Sequence, residues 1–370
     1  MKILHVGKFF PPARGGIETV LQFMVEGMSH LEKYQMEVLV FNDKPVTETD
    51  VYFSTSITRL ARWEQFFSAP FSPSMYMWLK SRMYDVVHLH IPNPLGAICV
   101  MATNPGKKLV VSYHSDIVKQ KMLLKLYGPI QRRLLRKADK ILASSQAMID
   151  NSPVLSTFKE KCVVAPYGID PKPYISPVKA DEKALRKVEE EFPEKFILFA
   201  GRLVYYKGLQ FLVKAMKNVD RKLVIAGDGP FFANLKLLTA GFGNRIHFTG
   251  SISDEKMRAL MSKCSFFVFP SISPSETFGL VQLEAMAAGK AIINTSINTG
   301  VPEVSLHRKT GITVPPKDVK ALTDALNELV KDDKLCKEYG EAGRKRFLEK
   351  FTVSRMCEQL ATMYDSFDLD

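Results

Sequence analysis

The sequence predicts an α/β protein made of two Rossmann-like domains that face each other across a cleft. Two observations carry this prediction. Short apolar runs rich in β-branched residues alternate with helical patterns, which is typical of parallel strands covered on both faces. The pattern occurs twice along 370 residues, a length too great for one ordinary core. Ligands of open α/β sheets bind beyond the carboxyl ends of the strands, so the cleft is the expected site.

The predicted strands divide the chain into two halves. They are 3–6, 38–41, 86–89, 109–112 and 141–143 in the first half, and 196–200, 223–226, 246–248, 266–269, 291–293 and 311–314 in the second. A proline-rich stretch between the halves predicts an exposed linker. We therefore expect an N-terminal domain at 1–170, a linker at 171–190 and a second domain at 191–352. An amphipathic pattern predicts a final helix at 350–370, for which a cap on the second domain is the structural interpretation.

Composition narrows the class of protein. No run of 18 apolar residues occurs, and the alternating start MKILHVGKFF is typical of a strand rather than a signal peptide. The five cysteines are scattered without a CxxC pair, which favours reduced thiols in a cytoplasmic protein. Of the net charge of +12, +8 falls in residues 1–168, which suggests an anionic partner there. No aromatic-studded basic motif of an RNA-binding domain is present, so we expect no nucleic-acid partner.

The segment PSISPSETFGLVQLEAMAAG carries the strongest chemical signal. A helix beginning near Phe278 would place Glu276 just before its N-terminus and Glu284 in its second turn. The amides of Phe278, Gly279 and Leu280 would then point at an anion, while a neighbouring carboxylate would accept hydrogen bonds from sugar hydroxyls. The structural alternative is a capping Glu276 and a solvent-facing Glu284.

Two further segments follow predicted strands. In FAGRLVYYKG, Arg202 and Lys207 are suited to a pyrophosphate, or they are ordinary surface cations. In VIAGDGPFF, Asp228 lies between two glycines. The segment either contributes to the ligand site or is only a tight turn.

The N-terminal half offers its own candidates. Gly15-Gly16 opens a helix after the first strand, where amides could touch a phosphate. The segment has neither the GxGxxG pattern of dinucleotide oxidoreductases nor the GxxxxGK[ST] phosphate loop, which argues against those classes.

Another strand end carries His114 and Asp116, followed by Lys119. A histidine there is either catalytic or a structural core residue. From 119 to 140 the chain has eight Lys or Arg and one acid beside an apolar face. Such a helix either lies on anionic lipid headgroups or packs on its own domain.

Taken together, these segments resemble the retaining glycosyltransferases of family 4, which have the GT-B fold. The resemblance covers nearly the whole chain, from the GG loop through GRLVYYKG and GDGP to the E-x7-E segment and NTGVPEV. It implies that the last helix, at 353–370, crosses back to the first domain. The region after Tyr113 looks most like mannosyltransferases of bacterial O-antigen or other surface polysaccharides. GDP-mannose is therefore the first expected donor, UDP-sugars are the alternative, and a GT-B-like epimerase is a rival enzyme class.

The resemblance also implies roles for individual residues. Arg202, Lys207 and Asp228 would lie at the donor, with Glu276 on the sugar hydroxyls and Glu284 on the ribose. Phe278, Gly279 and Leu280 would contribute amides, Gly16 would approach the phosphate from the opposing domain, and His114, Asp116 and Lys119 would face the acceptor. No D-x-D motif follows a predicted strand, so we expect no metal and no cofactor beyond the sugar donor itself. Retention without an evident nucleophile implies front-side attack, with the leaving phosphate taking the acceptor proton.

Overall fold

Two units of the chain fold around separate apolar cores. The structure is a computed structural model that describes residues 1–13, 15–66, 69–116, 121–175 and 179–369, without the side chains of 64–66, 69–71, 121–126 and 179–180. The first unit comprises Met1–Gly168 and Val353–Asp370, and the second comprises Ile169–Thr352.

The first unit contains a mainly parallel sheet between helices. Its strands are β1 (Lys2–Val6), β2 (Gln35–Phe41), β3 (Glu48–Tyr52), β4 (Thr55–Leu60), β5 (Glu64–Phe66), β6 (Ala69–Phe71), β7 (Tyr84–Ile91), β8 (Gly106–Tyr113), β9 (Lys140–Ala143) and β10 (Cys162–Val164). Its helices up to this point are α1 (Gly16–Met28), α2 (Ser74–Lys80), α3 (Pro94–Thr103), α4 (Lys121–Lys137) and α5 (Gln146–Asn151).

The main sheet has the strand order β10-β9-β8-β7-β1-β2-β4-β3. The central strands are buried on both faces, as their unbroken apolar sequences require. The sequence did not predict β3, which pairs antiparallel with β4 at the sheet edge. Its residues ETDVY are polar and exposed, so no apolar run marks it as a strand.

The second unit repeats this construction. Its helices are α6 (Lys172–Ile175), α7 (Lys179–Glu191), α8 (Leu209–Ala215), α9 (Phe232–Leu238), α10 (Asp254–Lys263), α11 (Leu280–Ala287), α12 (Val301–Val304), α13 (Val319–Lys331) and α14 (Asp333–Lys350). Its strands are β11 (Phe196–Ala200), β12 (Lys222–Ala226), β13 (Ile246–Gly250), β14 (Phe266–Phe269), β15 (Ile292–Thr295) and β16 (Gly311–Val314). The parallel sheet runs β13-β12-β11-β14-β15-β16. Every predicted apolar run lies in or overlaps a strand of the two sheets, which confirms the predicted fold class.

The final helix, α15 (Val353–Asp365), packs on α1 of the first unit. A methyl group on Gly27 would lie 2.4 Å from Cys357 Sγ, so the two helices meet at a glycine. The hydroxyl of Tyr34 donates to Asp365 at 2.7 Å at the end of the same helix. The predicted return of the chain to the first domain is confirmed.

The stretch 171–190, predicted as an exposed linker, is mostly helical and belongs to the second unit. Helix α7 packs on α10. The buried Asp181 accepts hydrogen bonds from Arg258 Nε at 3.0 Å and Nη2 at 2.6 Å. Prolines in this stretch suggested a linker, but the following residues KADEKALRKVEEE are good helix formers with acids in the first turn.

Among the described residues, no helix is both long enough and apolar enough to span a lipid bilayer.

The turn after β12 requires glycine and yields a first prediction. Gly227 has φ of +126°, and a methyl group there would lie 2.2 Å from the carbonyl oxygen of Gly201. We expect Gly227→Ala to destabilise the second unit by about 1–3 kcal/mol. Both tryptophans, Trp63 and Trp78, lie in the first unit, so the measurement is calorimetric unfolding rather than tryptophan fluorescence.

Gly241→Ala is the matched control, because nothing lies within 4 Å of the added methyl group. Equal melting temperatures for the two variants would contradict the steric argument.

Candidate functional site

The loops that follow β11 and β12 interlock at the carboxyl edge of the second sheet. The amide of Leu203 donates to the carbonyl of Asp228 at 2.9 Å, and that of Phe231 donates to Leu203 at 3.0 Å. Arg202 lies between Leu203 and Gly201, whose amide donates to Ala226 at 3.0 Å; its side chain is exposed and forms no ion pair with any residue that the structure describes. Asp228 is also exposed, and its Oδ1 accepts the Gly229 amide at 2.7 Å. The loops thus hold Arg202 rigidly by its backbone while leaving the guanidinium open.

Lys207 and Glu276 form a shielded ion pair. Lys207 ends a short 3₁₀ turn (Tyr205–Lys207), Glu276 follows β14, and each side chain is only 12% exposed. The Lys207 ammonium lies 4.8 Å from the centre of the Phe269 ring. The pair brings together two residues that the sequence assigned to different parts of a donor. An ammonium has three donors and a carboxylate about four acceptor sites, so both groups keep capacity for a ligand.

Helix α11 begins two residues later than predicted, because of the turn at Gly279. This residue caps the helix with φ of +80°, and a methyl group on it would lie 2.6 Å from the Phe269 ring. Phe278, just before it, is buried and packs edge-to-face on Phe351 with ring centres 6.0 Å apart. The amide of Gln282 donates to the Gly279 carbonyl at 2.8 Å, whereas the earlier amides of Leu280 and Val281 have no carbonyl acceptor within the helix. The helix start is therefore a fixed cluster of amide donors beside Glu276.

Glu284 lies in the second turn of α11, where Tyr174 of α6 meets it. The Tyr174 hydroxyl donates a hydrogen bond to the Glu284 carboxyl group. Burial raises the pKa of Glu284 to about 7, while the hydrogen bond from Tyr174 and the charge of Arg258 lower it and Asp254 raises it further. Glu284 is half-buried and hydrogen-bonded, unlike the freely solvent-facing residue of the structural alternative. Sequence reasoning missed Tyr174 because it lies in the stretch interpreted as a linker.

A buried amide network supports α11 from behind. Gln282 donates to the carbonyl of Phe278 at 3.0 Å, and its own carbonyl accepts from Asn294 of β15 at 3.1 Å. Asn294 also accepts from Thr313 of β16 at 2.7 Å. The glutamine within LVQLEAMAA is the sequence signal for this network, because a fully buried amide needs partners.

The candidates of the first unit lie at the carboxyl ends of its strands. Gly16 is the first residue of α1, and no atom lies within 4 Å of a methyl group placed on it. The Glu18 carboxylate shares this helix start, since it lies 2.2 Å from the corresponding position on Gly15. The predicted phosphate contact at Gly16 would therefore have to displace or rotate Glu18.

His114 differs from the expectation of a ring that faces an acceptor. It is 4% exposed, its Nε2 hydrogen-bonds His90 at 3.0 Å, and its Nδ1 hydrogen-bonds the Tyr167 hydroxyl at 2.7 Å. Asp116 is held nearby, with Oδ1 accepting from Tyr113 at 2.6 Å and Ser152 at 2.8 Å. The predicted acceptor residue Lys119 lies outside the described residues.

The buried histidines also raise the question of a metal centre. Nitrogens of His5, His88 and His90 lie within 4.8 Å of one another. Hydrogen bonds nevertheless engage both nitrogens of His88, to Tyr364 and Ser112, and both nitrogens of His90, to His5 and His114. Only Nε2 of His5 has no hydrogen-bond partner among the described residues, so a metal ion would have to break hydrogen bonds of both His88 and His90.

Comparisons with known proteins identify the family of this chain. The model of the family "Glycosyltransferase Family 4" matches residues 14–172, and that of "Glycosyl transferases group 1" matches residues 181–346. O-antigen chain mannosyltransferase C of Escherichia coli is 33% identical over 368 residues, with 98% of each chain covered. D-rhamnosyltransferase WbpZ of Pseudomonas aeruginosa is 34% identical over 95% of this chain and 93% of its own.

This chain belongs to glycosyltransferase family 4.

Solved structures establish the GT-B fold of this family 4 glycosyltransferase. Sucrose-phosphate synthase from Thermosynechococcus elongatus has a TM-score of 0.80 at 19% identity, with 98% of each chain covered. Anabaena HepE in complex with UDP-glucose has a TM-score of 0.78 at 20% identity, covering 99% of this chain and 100% of its own. Of the residues predicted to contact the donor, Gly16 lies in the first unit and the others lie in the second, while His114 lies in the first.

The buried histidines of the glycosyltransferase yield a second prediction. Burial lowers the pKa of His5 to about 4 and that of His114 to about 3, and it holds the pKa values of His88 and His90 well below 6.5. The unfolded chain therefore binds more protons than the folded one below pH 6.5. We expect the first unit to lose stability between pH 7 and pH 5, by up to about 1.4 kcal/mol per pH unit for each histidine.

Urea unfolding followed by the fluorescence of Trp63 and Trp78 measures this effect in the first unit. Glu18 acts in the opposite direction because burial raises its pKa, but one carboxyl group cannot offset four imidazoles. A urea midpoint that stays constant from pH 7 to pH 5 would contradict the neutral-histidine core.

Proposed function

We propose that this protein is a retaining, metal-independent glycosyltransferase that moves mannose from GDP-mannose to a glycan or lipid-linked acceptor in the synthesis of a surface polysaccharide. The observation that carries the proposal is the shielded pair of Lys207 and Glu276 beside the start of α11. It combines, in one unit, a cation, a carboxylate and a cluster of amide donors. A nucleotide sugar presents the complementary groups: a diphosphate and neighbouring sugar hydroxyls.

The charges of the site suit a diphosphate. Arg202 is exposed at the end of β11, and Lys207 offsets the charge of Glu276, so an anion can approach beside the carboxylate. The amides at the start of α11 add positive partial charge. In our proposal these groups neutralise the leaving diphosphate without a divalent cation. Attack from the same face as the departing phosphate, which accepts the acceptor's proton, would retain the anomeric configuration.

In this proposal the two glutamates contact different parts of the donor. Glu276 faces the helix start and would accept hydrogen bonds from hydroxyls of the transferred sugar. Glu284, one helical turn further along, would accept them from the ribose, with Tyr174 competing for the same carboxyl group. Glu284 would thus govern donor affinity, and Glu276 would govern transfer.

The choice of donor rests on the relatives. One transfers mannose and another D-rhamnose, as their names state. D-rhamnose is 6-deoxymannose, so the two sugars share the configuration of every ring hydroxyl and differ at carbon 6. This favours a manno-configured sugar, and GDP as its nucleotide is carried over from the sequence resemblance to mannosyltransferases. A UDP-sugar is the alternative that the UDP-glucose complex of the structural neighbour suggests, and an epimerase would consume the donor without any acceptor.

The acceptor side involves the first unit. The second half of α4 exposes Arg132, Arg133, Arg136 and Lys137, while Leu134 and Leu135 are buried in the core. Those leucines are therefore packed within their own unit and are not available to insert into lipid. We propose that any contact of this helix with an anionic membrane or a lipid diphosphate is electrostatic.

Donor binding provides the main test of this proposal. Calorimetry with GDP-mannose, GDP-D-rhamnose, UDP-glucose, UDP-galactose and UDP-N-acetylglucosamine should give the highest affinity for a GDP-sugar. Because burial raises the pKa of Glu284 to about 7, its carboxylate form grows above that pH. We expect donor affinity to rise about tenfold, or about 1.4 kcal/mol, between pH 6 and pH 8.

Glu284→Gln is the control for the pH dependence: it should bind the donor weakly and with little change between pH 6 and pH 8. Preference for a UDP-sugar would overturn the donor assignment. If donor affinity of the variant rose with pH as it does in the unsubstituted protein, the proposed contact between Glu284 and the ribose would be refuted.

Transfer itself tests Glu276. Glu276→Gln removes the charged acceptor of the sugar hydroxyls while keeping the side-chain volume, so we expect kcat to fall by about a hundredfold or more. Initial rates with radiolabelled donor measure this loss, and circular dichroism verifies the fold. Glu341→Gln, at an exposed position on α14, is the matched control and should retain full activity. Full activity of Glu276→Gln would refute the proposed role.

A further inference from the structure

Three imidazoles of the first unit form one continuous row. His5 Nδ1 lies 3.1 Å from His90 Nε2, and His90 Nδ1 lies 3.0 Å from His114 Nε2. The rings of His90 and His114 stack with an angle of 13° between their planes. The row joins β1, β7 and the residue that follows β8, so it runs across three neighbouring strands.

Both ends of the row are defined. At one end, His114 Nδ1 lies 2.7 Å from the Tyr167 hydroxyl, which also hydrogen-bonds Ser144. Ser144 in turn donates to the sulfur of Met148 at 3.7 Å. At the other end, His5 Nε2 is buried and has no hydrogen-bond partner among the described residues.

The protons in this row are not independent. All three rings are neutral near pH 7, since burial lowers each pKa, so each ring carries one N–H. His90 and His114 therefore each donate through one nitrogen and accept through the other, while His5 takes part through Nδ1 alone. The direction of any one hydrogen bond then determines the direction of all three, and the three rings share the same tautomer.

The two possible directions leave different atoms unpaired. If Tyr167 donates to His114, every ring carries its hydrogen on Nε2, and the row ends in an N–H of His5 without an acceptor. If His114 donates to Tyr167, every ring carries its hydrogen on Nδ1, Tyr167 donates to Ser144, and Ser144 donates to the Met148 sulfur, which can only accept. Every hydrogen then has an acceptor, and only a lone pair of His5 is unpaired. Buried N–H groups without a partner are rare, which favours the second direction.

We propose that His5 and His90 are positioning residues that hold His114 in the Nδ1–H form, so that its ring anchors the loop 114–116 and does not act as a base. Both nitrogens of His114 are committed to the row and to Tyr167, and the chain that leaves β8 is thereby fixed at its first residue. Asp116, two residues on, is held through Oδ1 by Tyr113 and Ser152. The catalytic consequence rests on the proposed function, whereas the tautomer does not.

Nuclear magnetic resonance of the full chain labelled with ¹⁵N-histidine tests the tautomer directly. We expect the rings of His5, His90 and His114 to show a protonated Nδ1 and an unprotonated Nε2, unchanged between pH 8 and pH 6. Single substitutions assign the signals. Nε2–H forms, or different tautomers within the row, would overturn the shared arrangement, whether or not the protein transfers a sugar.

Substitution of His90 tests the positioning role. His90→Leu breaks the row on both sides, and we expect kcat to fall about tenfold or more while the KM for the donor is unchanged. His90→Gln can still accept from His5 and donate to His114, so it should restore most of kcat. His88→Leu is the matched control: it removes an equally buried imidazole whose hydrogen bonds, to Tyr364 and Ser112, lie outside the row.

The outcomes separate the two proposals. If kcat fell equally in His90→Leu and His88→Leu, or if a folded His90→Gln did not restore kcat, the row would serve only to stabilise the fold. Absence of any transfer by the unsubstituted protein would refute the proposed function, and the spectra would still decide the tautomer.

Discussion

The turn at Gly279 is the constraint on which the donor side of this protein depends. The backbone there must adopt a left-handed conformation, and the ring of Phe269 fills the space that any side chain would need. This contact determines where α11 begins, and hence where its first amides point. It also separates the two glutamates, because Glu276 lies before the turn and Glu284 lies one turn into the helix. A shift of the helix start would move every polar group of the site at once.

Electrostatics around this turn are arranged in pairs rather than as isolated charges. Lys207 neutralises Glu276 within a shielded pocket, while Arg202 stays exposed as a cation for a ligand. Glu284 is treated differently: burial favours its protonated form, and the Tyr174 hydroxyl favours its carboxylate. The site therefore presents an exposed guanidinium at Arg202 and a carboxyl group whose pKa is raised to about 7. Both properties suit a ligand that carries a diphosphate next to neutral hydroxyls.

In the first unit, by contrast, the buried histidines are uncharged. Burial keeps its histidines neutral, and hydrogen bonds between their rings replace the solvent they have lost. A neutral row costs less to bury than a charged group, but it must satisfy every hydrogen. The cost is a dependence on pH, because the unfolded chain accepts the protons that the core excludes. The positive charge of the unit is instead on its surface, including the exposed face of α4.

By itself, the sequence determined the two parallel sheets, a final amphipathic helix and the positions of Arg202, Lys207, Glu276 and Glu284 at strand ends or a helix start. These features follow from local patterns: apolar runs, turn glycines and helix caps lie within a few residues of one another. Only the tertiary structure decided that Lys207 pairs with Glu276, that Tyr174 meets Glu284, and that His5, His90 and His114 share one row. It also showed that the stretch 171–190, expected to be a linker, contains a packed helix. Those partners are separated by 24 to 110 residues and meet only because strand order and helix packing bring them together, and no periodicity along the chain encodes that order.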